Sequence, residues 1–253
     1  MRHSAPVPND WEPVGARSGV EPVRYRSDGR ELKAFLLRPE RAPTTPVPAL
    51  LYLHGNFELE PGSFDAVAPF VAAGYVVLIP TYRGEQGNPG RFELLFGEVE
   101  DAAAAARYLA RQPGVDPERV HAIGHSVGGA IAALLSVWPD VPLATTASVG
   151  GIYVPETFVR WTRMRGNRRL IRFDVRDREE LELRVLGPHV HAMLRPHRAY
   201  IGTGDHWFID NARAVQRRAR RFAQPFEMVM VEGDHMGSLG PGLAAHLAWL
   251  AGS

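Results

Sequence analysis

The segment Gly124-His125-Ser126-Val127-Gly128 places a serine in the pattern G-x-S-x-G. It follows the apolar run Val120–Ile123 and precedes a helical pattern that begins at Val127. Such a sharp turn between a buried strand and a helix strains the serine backbone and presents the hydroxyl above the sheet. The helix N-terminus also favours developing negative charge. The motif therefore predicts that Ser126 is a nucleophile, and the alternative is a glycine-rich turn with an incidental serine.

A nucleophilic serine needs a base, and the base needs a third group that fixes its tautomer. With this turn, the chain order is serine, then an acid, then histidine. Asp205 follows the apolar run that ends at Ile201, and His235 follows the run that ends at Val231. Catalytic groups of open α/β sheets gather at the carboxyl ends of strands. The order and positions predict a catalytic triad of Ser126, Asp205 and His235.

Other side chains compete for these roles. Asp210 is a second candidate acid, but it stands at the start of a predicted helix, where aspartate is usually a cap. His206 adjoins Asp205 and would have to reach sideways. His54 precedes Ser126 in the chain, and we expect it to brace its loop by hydrogen bonds. The remaining candidate bases lie where solvated or packing histidines are ordinary: His189, His191 and His197.

Acyl transfer by serine also needs two N–H donors for the oxyanion. One predicted donor is the amide of Val127, directly after the nucleophile. The other is expected from the loop that follows Leu53, where Gly55 lets the backbone approach closely. The amide of Asn56 is the first choice for this donor, and that of Phe57 is the second.

Short apolar runs alternate with helical patterns along most of the chain. The apolar runs are Ala49–Leu53, Val76–Ile79, Val120–Ile123, Ala147–Val149, Ala199–Ile201 and Met228–Val231. The helical patterns are Phe64–Ala73, Phe96–Arg111, Val127–Val137, Asn211–Phe222 and Pro241–Leu250. Before them, Asp28-Gly29 predicts a turn between two strands, Val20–Arg26 and Glu31–Arg38. Strands apolar on both faces belong in sheets covered by helices, so the sequence predicts an α/β fold with a doubly wound, mostly parallel sheet.

The segment 153–196 interrupts this alternation, because it has many charges and no clear strand. Nine arginines and five acidic residues lie between Arg160 and Arg184. We expect a single domain spanning 1–253. It begins with an irregular arm over 1–19 and contains a helical cap insertion at 153–196. The arginines are expected on a solvated face, with an anionic substrate group or partner as the alternative. Candidate pocket walls are Phe158, Trp161 and Trp207.

Composition excludes several classes of protein. The 253 residues carry 29 basic and 28 acidic side chains, a net charge of +1, which does not favour nucleic-acid binding. The absence of cysteine excludes disulfides, a cysteine nucleophile and thiolate zinc sites. No metal-ligand spacing or phosphate loop is found, so no metal and no cofactor are predicted. No apolar stretch predicts a signal peptide or membrane span, so a cytoplasmic location is expected.

These motifs resemble the α/β-hydrolase superfamily, and are most similar to the catalytic domain of prolyl-oligopeptidase-like serine hydrolases and their small esterase relatives. The matching stretches are Leu53-His54-Gly55, the Ala73–Gly84 segment with its Tyr82-Arg83-Gly84, Gly97–Asp101, Val115–Val120, Gly124–Gly129, Gly202–Asp205 and His235. The resemblance implies an α/β-hydrolase fold and the triad Ser126, Asp205 and His235. It does not extend to the insertion.

Two departures from the prolyl-oligopeptidase pattern bear on the activity. The residues before Ala49 are too few for the β-propeller of those peptidases, and no tyrosine follows Gly55 to supply an oxyanion donor. We therefore expect a carboxylesterase-like serine hydrolase that cleaves small-molecule esters through an acyl-enzyme. One alternative is a small peptidase or amidase with the same triad. The other is an inactive hydrolase fold that binds a partner through its arginine-rich insertion.

Overall fold

A computed structural model of the protein describes residue 15 and residues 17–41, 44–164 and 167–252. The predicted arm before Val20 lies largely outside these residues. Eight strands form one sheet: β1 (Val20–Ser27), β2 (Arg30–Leu37), β3 (Val47–Leu53), β4 (Val76–Pro80), β5 (Val115–His125), β6 (Thr145–Val149), β7 (His197–Gly202) and β8 (Phe226–Val231). Their order is β1-β2-β4-β3-β5-β6-β7-β8. The pairs β1–β2 and β2–β4 are antiparallel and the others are parallel, which confirms the predicted mostly parallel sheet.

Helices cover both faces of the sheet. They are α1 (Gly62–Ala72), α2 (Gly97–Ala110), α3 (Val127–Leu135), α4 (Pro155–Thr162), α5 (Arg178–Glu182), α6 (His206–Arg221) and α7 (Leu239–Ala251). The helices α2, α3 and α6 pack on one face, and α1 and α7 pack on the other. None of the described helices is long and apolar enough to cross a membrane.

Strand β3 shows why its sequence is apolar without alternation. Leu51 and Leu53 belong to the core on the α2 and α3 side, whereas Leu50 and Tyr52 belong to the core on the α1 and α7 side. Successive side chains of a strand point to opposite faces, so a strand covered on both faces is apolar throughout. Because β3, β5, β7 and β8 run parallel, their carboxyl ends lie at one common edge of the sheet. This edge carries the candidate site.

The segment predicted as an insertion, 153–196, lies between β6 and β7 and contains α4, α5 and two short 3₁₀ turns, Asn167–Leu170 and Gly187–Ala192. The expectation of a solvated arginine face is wrong for Arg184, which is fully buried. Its Nε donates to the carbonyl of Leu94 across 2.9 Å, and its guanidinium lies 4.0 Å from the ring centre of Phe173. A buried guanidinium needs such partners, so Arg184 ties the insertion to the loop before α2.

Two buried histidines make the stability of the fold depend on pH. Burial chiefly lowers the pKa of His197 and of His246 to about 3. The ordinary histidine pKa is about 6.5, so below that pH the unfolded chain binds more protons than the folded chain. The stabilisation is therefore complete above pH 6.5 and is lost as the pH falls towards 3. We expect each histidine to lower the free energy of unfolding by about 1.4 kcal/mol per pH unit in this window.

Urea unfolding at pH 7, 6 and 5 measures this slope. The side chain of His197 contacts Thr146 Oγ1 at 2.9 Å and Ser148 Oγ at 2.7 Å. His197→Asn should reduce the slope, whatever it does to stability at pH 7. The exposed His191 provides the matched control, since His191→Asn should leave the slope as it is. An unchanged slope in His197→Asn would contradict the assignment.

Candidate active site

Ser126 lies at the turn between β5 and α3, half-buried and in a strained backbone conformation (φ 51°, ψ −111°). The motif requires glycine at two positions because a side chain there would clash with the backbone of neighbouring segments. A Cβ on Gly124 would lie 2.1 Å from the carbonyl oxygen of Gly128, and a Cβ on Gly128 would lie 2.1 Å from the carbonyl oxygen of Leu53. The close packing of α3 on β3 and β5 thus needs both glycines, and the turn lifts the serine hydroxyl above the sheet edge.

The structure brings the three predicted triad side chains together. His235 Nε2 lies 3.0 Å from Ser126 Oγ, and His235 Nδ1 lies 2.7 Å from Asp205 Oδ2. Asp205 is the N-cap residue of α6, but its carboxylate does not cap the helix. The carboxylate is buried and its oxygen accepts from the imidazole instead. This hydrogen bond fixes the tautomer in which Nε2 can accept the serine proton.

Two neighbours hold the imidazole of His235 in place. The ring of Phe208 lies 4.4 Å from it, between centroids, at an angle of 30°. On the other side, Gly150 has φ +62°, and a Cβ there would lie 2.9 Å from His235 Cε1. The position requires glycine for both reasons, because other residues rarely adopt this conformation and any side chain would displace the ring.

The rival residues lie elsewhere. The helix α6 begins at His206 rather than at Asn211, because Asp205 takes the N-cap position and Phe208 and Ile209 pack into the core. Asp210 is therefore inside the helix, exposed, and 3.7 Å from Arg213. His189 Nε2 lies 2.9 Å from the carbonyl of Glu182, His191 is exposed, and His197 lies in the core between Thr146 and Ser148.

The predicted oxyanion donors lie on either side of the serine. Val127 is the first residue of α3, and the first N–H groups of a helix have no partner within it. Asn56 has φ +61°, a conformation that asparagine tolerates better than most residues. A Cβ on Gly55 would lie 2.8 Å from His125 Nδ1, so the loop approaches the elbow closely. The alternative donor Phe57 packs with its ring against Phe92 and Trp161.

Glu85 is a buried residue of the site that the sequence analysis missed. Its carboxylate accepts from the backbone N–H of Leu59 at 2.6 Å and of Tyr82 at 2.8 Å, and lies 3.2 Å from His54 Nε2. His54 braces its loop as expected. Burial lowers the pKa of His54, but the charge of Glu85 and the hydrogen bond with it raise this pKa, and the net shift is upward. Glu85 thus holds both ends of the loop that carries Asn56.

His125 is a second residue that sequence reasoning missed. Its Nε2–H donates to the carbonyl oxygen of His235 across 3.1 Å, and the two rings lie 5.3 Å apart. Burial chiefly lowers the pKa of His125, which favours the neutral ring. The residue before the nucleophile therefore anchors the loop of His235.

Two cavities flank His235. One of about 420 Å³ contains Ser126, His125, Asn56, Glu60 and Met236. The other, of about 410 Å³, is lined by Thr157, Trp161, Met164, Gly204, Asp205, His206, Trp207, Phe208 and His235. Trp161 and Trp207 are thus wall residues as expected, but Phe158 is buried in the core and does not line this cavity. An acyl substrate with two different halves could place one half in each cavity.

Known proteins match this chain in sequence and in fold. The uncharacterized peptidase YtmA of Bacillus subtilis (strain 168) is 33% identical over 134 residues, which cover 51% of this chain and 50% of YtmA. The chain thus spans about half the length of this curated relative. A puromycin-hydrolyzing peptidase of Mycobacterium tuberculosis matches 93% of this chain and 40% of its own, with 23% identity and a TM-score of 0.80.

An acylaminoacyl peptidase of Pyrococcus horikoshii covers 92% of this chain and 41% of its own, with 15% identity and a TM-score of 0.74. These structural likenesses confirm the α/β-hydrolase fold and the similarity to prolyl-oligopeptidase-like catalytic domains. The family model described as X-Pro dipeptidyl-peptidase (S15 family) matches residues 28–170, which is more than half of the chain. The chain therefore belongs to the S15 family of serine hydrolases.

Proposed function

We propose that the chain is a serine hydrolase that cleaves an amide or short peptide bond through an acyl-enzyme on Ser126. The observation that carries the proposal is the continuous hydrogen-bonded path from Ser126 Oγ through His235 to Asp205, at 3.0 and 2.7 Å. Family membership and the puromycin-hydrolyzing and acylaminoacyl peptidases of the same fold favour an amide-type bond. The cytoplasmic location, and a single domain with an insertion at 153–196, stay predictions from the sequence.

In the proposed reaction, Ser126 Oγ attacks the scissile carbonyl carbon while its proton passes to His235 Nε2. Asp205 holds the imidazole and stabilises the positive charge that forms. The amides of Val127 and Asn56 donate to the oxyanion, a role worth about 10²–10³ in rate for each donor. The tetrahedral species collapses, and the leaving amine takes the proton from His235. Water then attacks the acyl-enzyme by the same path and releases the acid and the free serine.

Ester cleavage is the second candidate, and the loop after β3 favours it. Asn56, rather than a tyrosine, follows Gly55, so the proposed oxyanion donor is a backbone amide as in the esterase relatives. Esters also need less help for leaving-group departure, since an alkoxide or phenoxide leaves more readily than an amide nitrogen. A small-molecule ester is thus a substrate that the same residues could turn over.

Matched substrates separate the two candidates. The p-nitroanilide and p-nitrophenyl ester of one acyl group, taken through a series of acyl chain lengths, are assayed with wild type and with Ser126→Ala. Turnover of the anilide that is lost in the variant supports the first candidate, and turnover of the ester alone supports the second. No turnover of either, with no fluorophosphonate labelling of Ser126, would leave the inactive binding fold as the interpretation.

Glu85→Gln should lower kcat about 10- to 100-fold with little change in KM. A glutamine can replace one accepting oxygen, but its NH₂ group would face an N–H donor, and an unsatisfied buried donor costs about 1–3 kcal/mol. Because Glu85 positions the loop of Asn56, we expect the variant to displace the Asn56 amide. That amide is proposed to donate to the oxyanion in the transition state, so the rate should fall more than substrate binding weakens. Steady-state kinetics measure this split. Glu118→Gln, at an exposed position far from the site, is the control, and an unchanged kcat in Glu85→Gln would refute the positioning role.

A further inference from the structure

The cavity that contains Ser126 also contains a carboxylate that the proposed mechanism does not use. Glu60 is the one acidic side chain that lines it, and no lysine or arginine lines it. Glu60 Oε1 accepts a hydrogen bond from Asn56 Nδ2 across 2.9 Å. None of the ion pairs found among the described residues involves Glu60. Glu60 is half-buried and lines the cavity, and within the described part of the chain its carboxylate has no ion-pair partner.

The charge of Glu60 acts on the groups around the cavity. Burial raises the pKa of the Tyr52 phenol, and the negative charge of Glu60 raises it further. Tyr52 lines the same cavity, so the field of the carboxylate reaches the lining on that side. The side-chain amide of Asn56 donates a hydrogen bond to the Glu60 carboxylate, but it is neutral and does not cancel the negative charge.

The second cavity has the opposite character. Its walls are mainly apolar and aromatic, from Trp161, Met164, Trp207 and Phe208. The one carboxylate in its lining, Asp205, is held by His235 at 2.7 Å. A substrate that spans both cavities thus meets a negative charge on one side of the catalytic histidine and an apolar surface on the other.

We infer that Glu60 binds a positively charged group of the substrate, so that the preferred substrates are acyl compounds carrying an ammonium or quaternary ammonium group together with an apolar part. The inference rests on the proposed function. A carboxylate that meets a cation inside a partly enclosed cavity forms a strong, charge-assisted interaction. Because the cavity also contains the nucleophile, that interaction places the cation near the scissile bond.

Isosteric pairs of substrates test the inference. Phenylalanine p-nitroanilide is compared with 3-phenylpropionic p-nitroanilide, which lacks the amine, and acetylcholine is compared with 3,3-dimethylbutyl acetate. The first pair carries the cation on the acyl side and the second on the leaving-group side. Wild type should prefer the cationic member of at least one pair by about 10-fold or more in kcat/KM, and Glu60→Gln should abolish that preference. Glu118→Gln is the matched control and should keep it.

Two outcomes overturn the inference. One is a wild-type enzyme that turns over both members of each pair equally well. The other is a Glu60→Gln variant that slows the charged and the neutral member by the same factor, which would make Glu60 only a support for Asn56. Neither outcome contradicts the proposed hydrolase function, because turnover that depends on Ser126 would still be observed.

A binding measurement keeps the test decisive if no substrate is turned over. Ser126→Ala is titrated with phenylalaninamide and 3-phenylpropionamide, and with choline and 3,3-dimethylbutanol. Tighter binding of a cationic member, by about 10-fold, that is lost in Ser126→Ala/Glu60→Gln supports the cation site without reference to catalysis. Equal binding of the members of both pairs overturns it.

Discussion

Replacing Ser126 with alanine is expected to lower kcat by roughly 10⁴- to 10⁶-fold on any substrate that wild type turns over. The variant removes the proposed nucleophile, while the proposed oxyanion donors and the cavities remain and supply the residual rate. Alanine keeps the Cβ of serine and lacks only the hydroxyl, so the strained turn between β5 and α3 should persist. Initial rates and covalent labelling by a fluorophosphonate are the two measurements.

The control for this variant must exclude a contaminating hydrolase. Ser18→Ala, at an exposed turn that lines neither cavity, is purified in the same way and should keep wild-type kcat and labelling. If Ser126→Ala retained more than about a tenth of the wild-type rate, far above the loss typical of a missing nucleophile, another residue would have to be the nucleophile. The proposed mechanism would then be wrong.

Asp205→Asn should lower kcat by roughly 10³- to 10⁴-fold at nearly unchanged shape. The amide nitrogen of asparagine can donate to His235 Nδ1, and a ring that accepts there carries its proton on Nε2, where it cannot take the serine proton. Asp205 is 8% exposed, so water does not readily replace the lost carboxylate. kcat against pH, measured beside the thermal midpoint of unfolding, separates a wrong tautomer from a damaged fold.

Asp210→Asn is the matched control, on the same helix and from the same residue type. Asp210 is exposed on α6, and exposed ion pairs such as that with Arg213 contribute little. Its kcat should stay within about twofold of wild type, as expected for a surface substitution away from the site. Equal losses in both variants would mean that the helix, rather than the carboxylate at its N-cap, is what the reaction needs.

The sheet, and the proximity of Ser126, Asp205 and His235, could be predicted from the sequence for one physical reason. The apolar runs reveal strands buried on both faces, and parallel strands bring their carboxyl ends to one edge. Residues directly after those strands, such as Ser126, Asp205 and His235, are then neighbours without any knowledge of side-chain packing. The start of α6 was missed because Asn211 marks no boundary, whereas the cap is Asp205 itself.

Residues that act through tertiary contacts leave no such signal. Glu85 meets His54 across 31 positions, and His125 meets the carbonyl of His235 across 110. Neither spacing corresponds to a helix or strand period, so pattern reasoning does not pair them. Arg184 shows the same limit, since its charge predicts a solvated side chain and only the packing of the insertion reveals the buried site that holds it.

Gly150 has a consequence for how this site can evolve. It has no side chain, yet its φ is +62° and a Cβ there would lie 2.9 Å from His235 Cε1, so another residue would be strained and would displace the ring. In a saturation library selected for turnover, position 150 should be as intolerant as the nucleophile itself. We expect the cavity walls of this chain to tolerate substitution better than position 150, which can change only if the imidazole of His235 moves to another position.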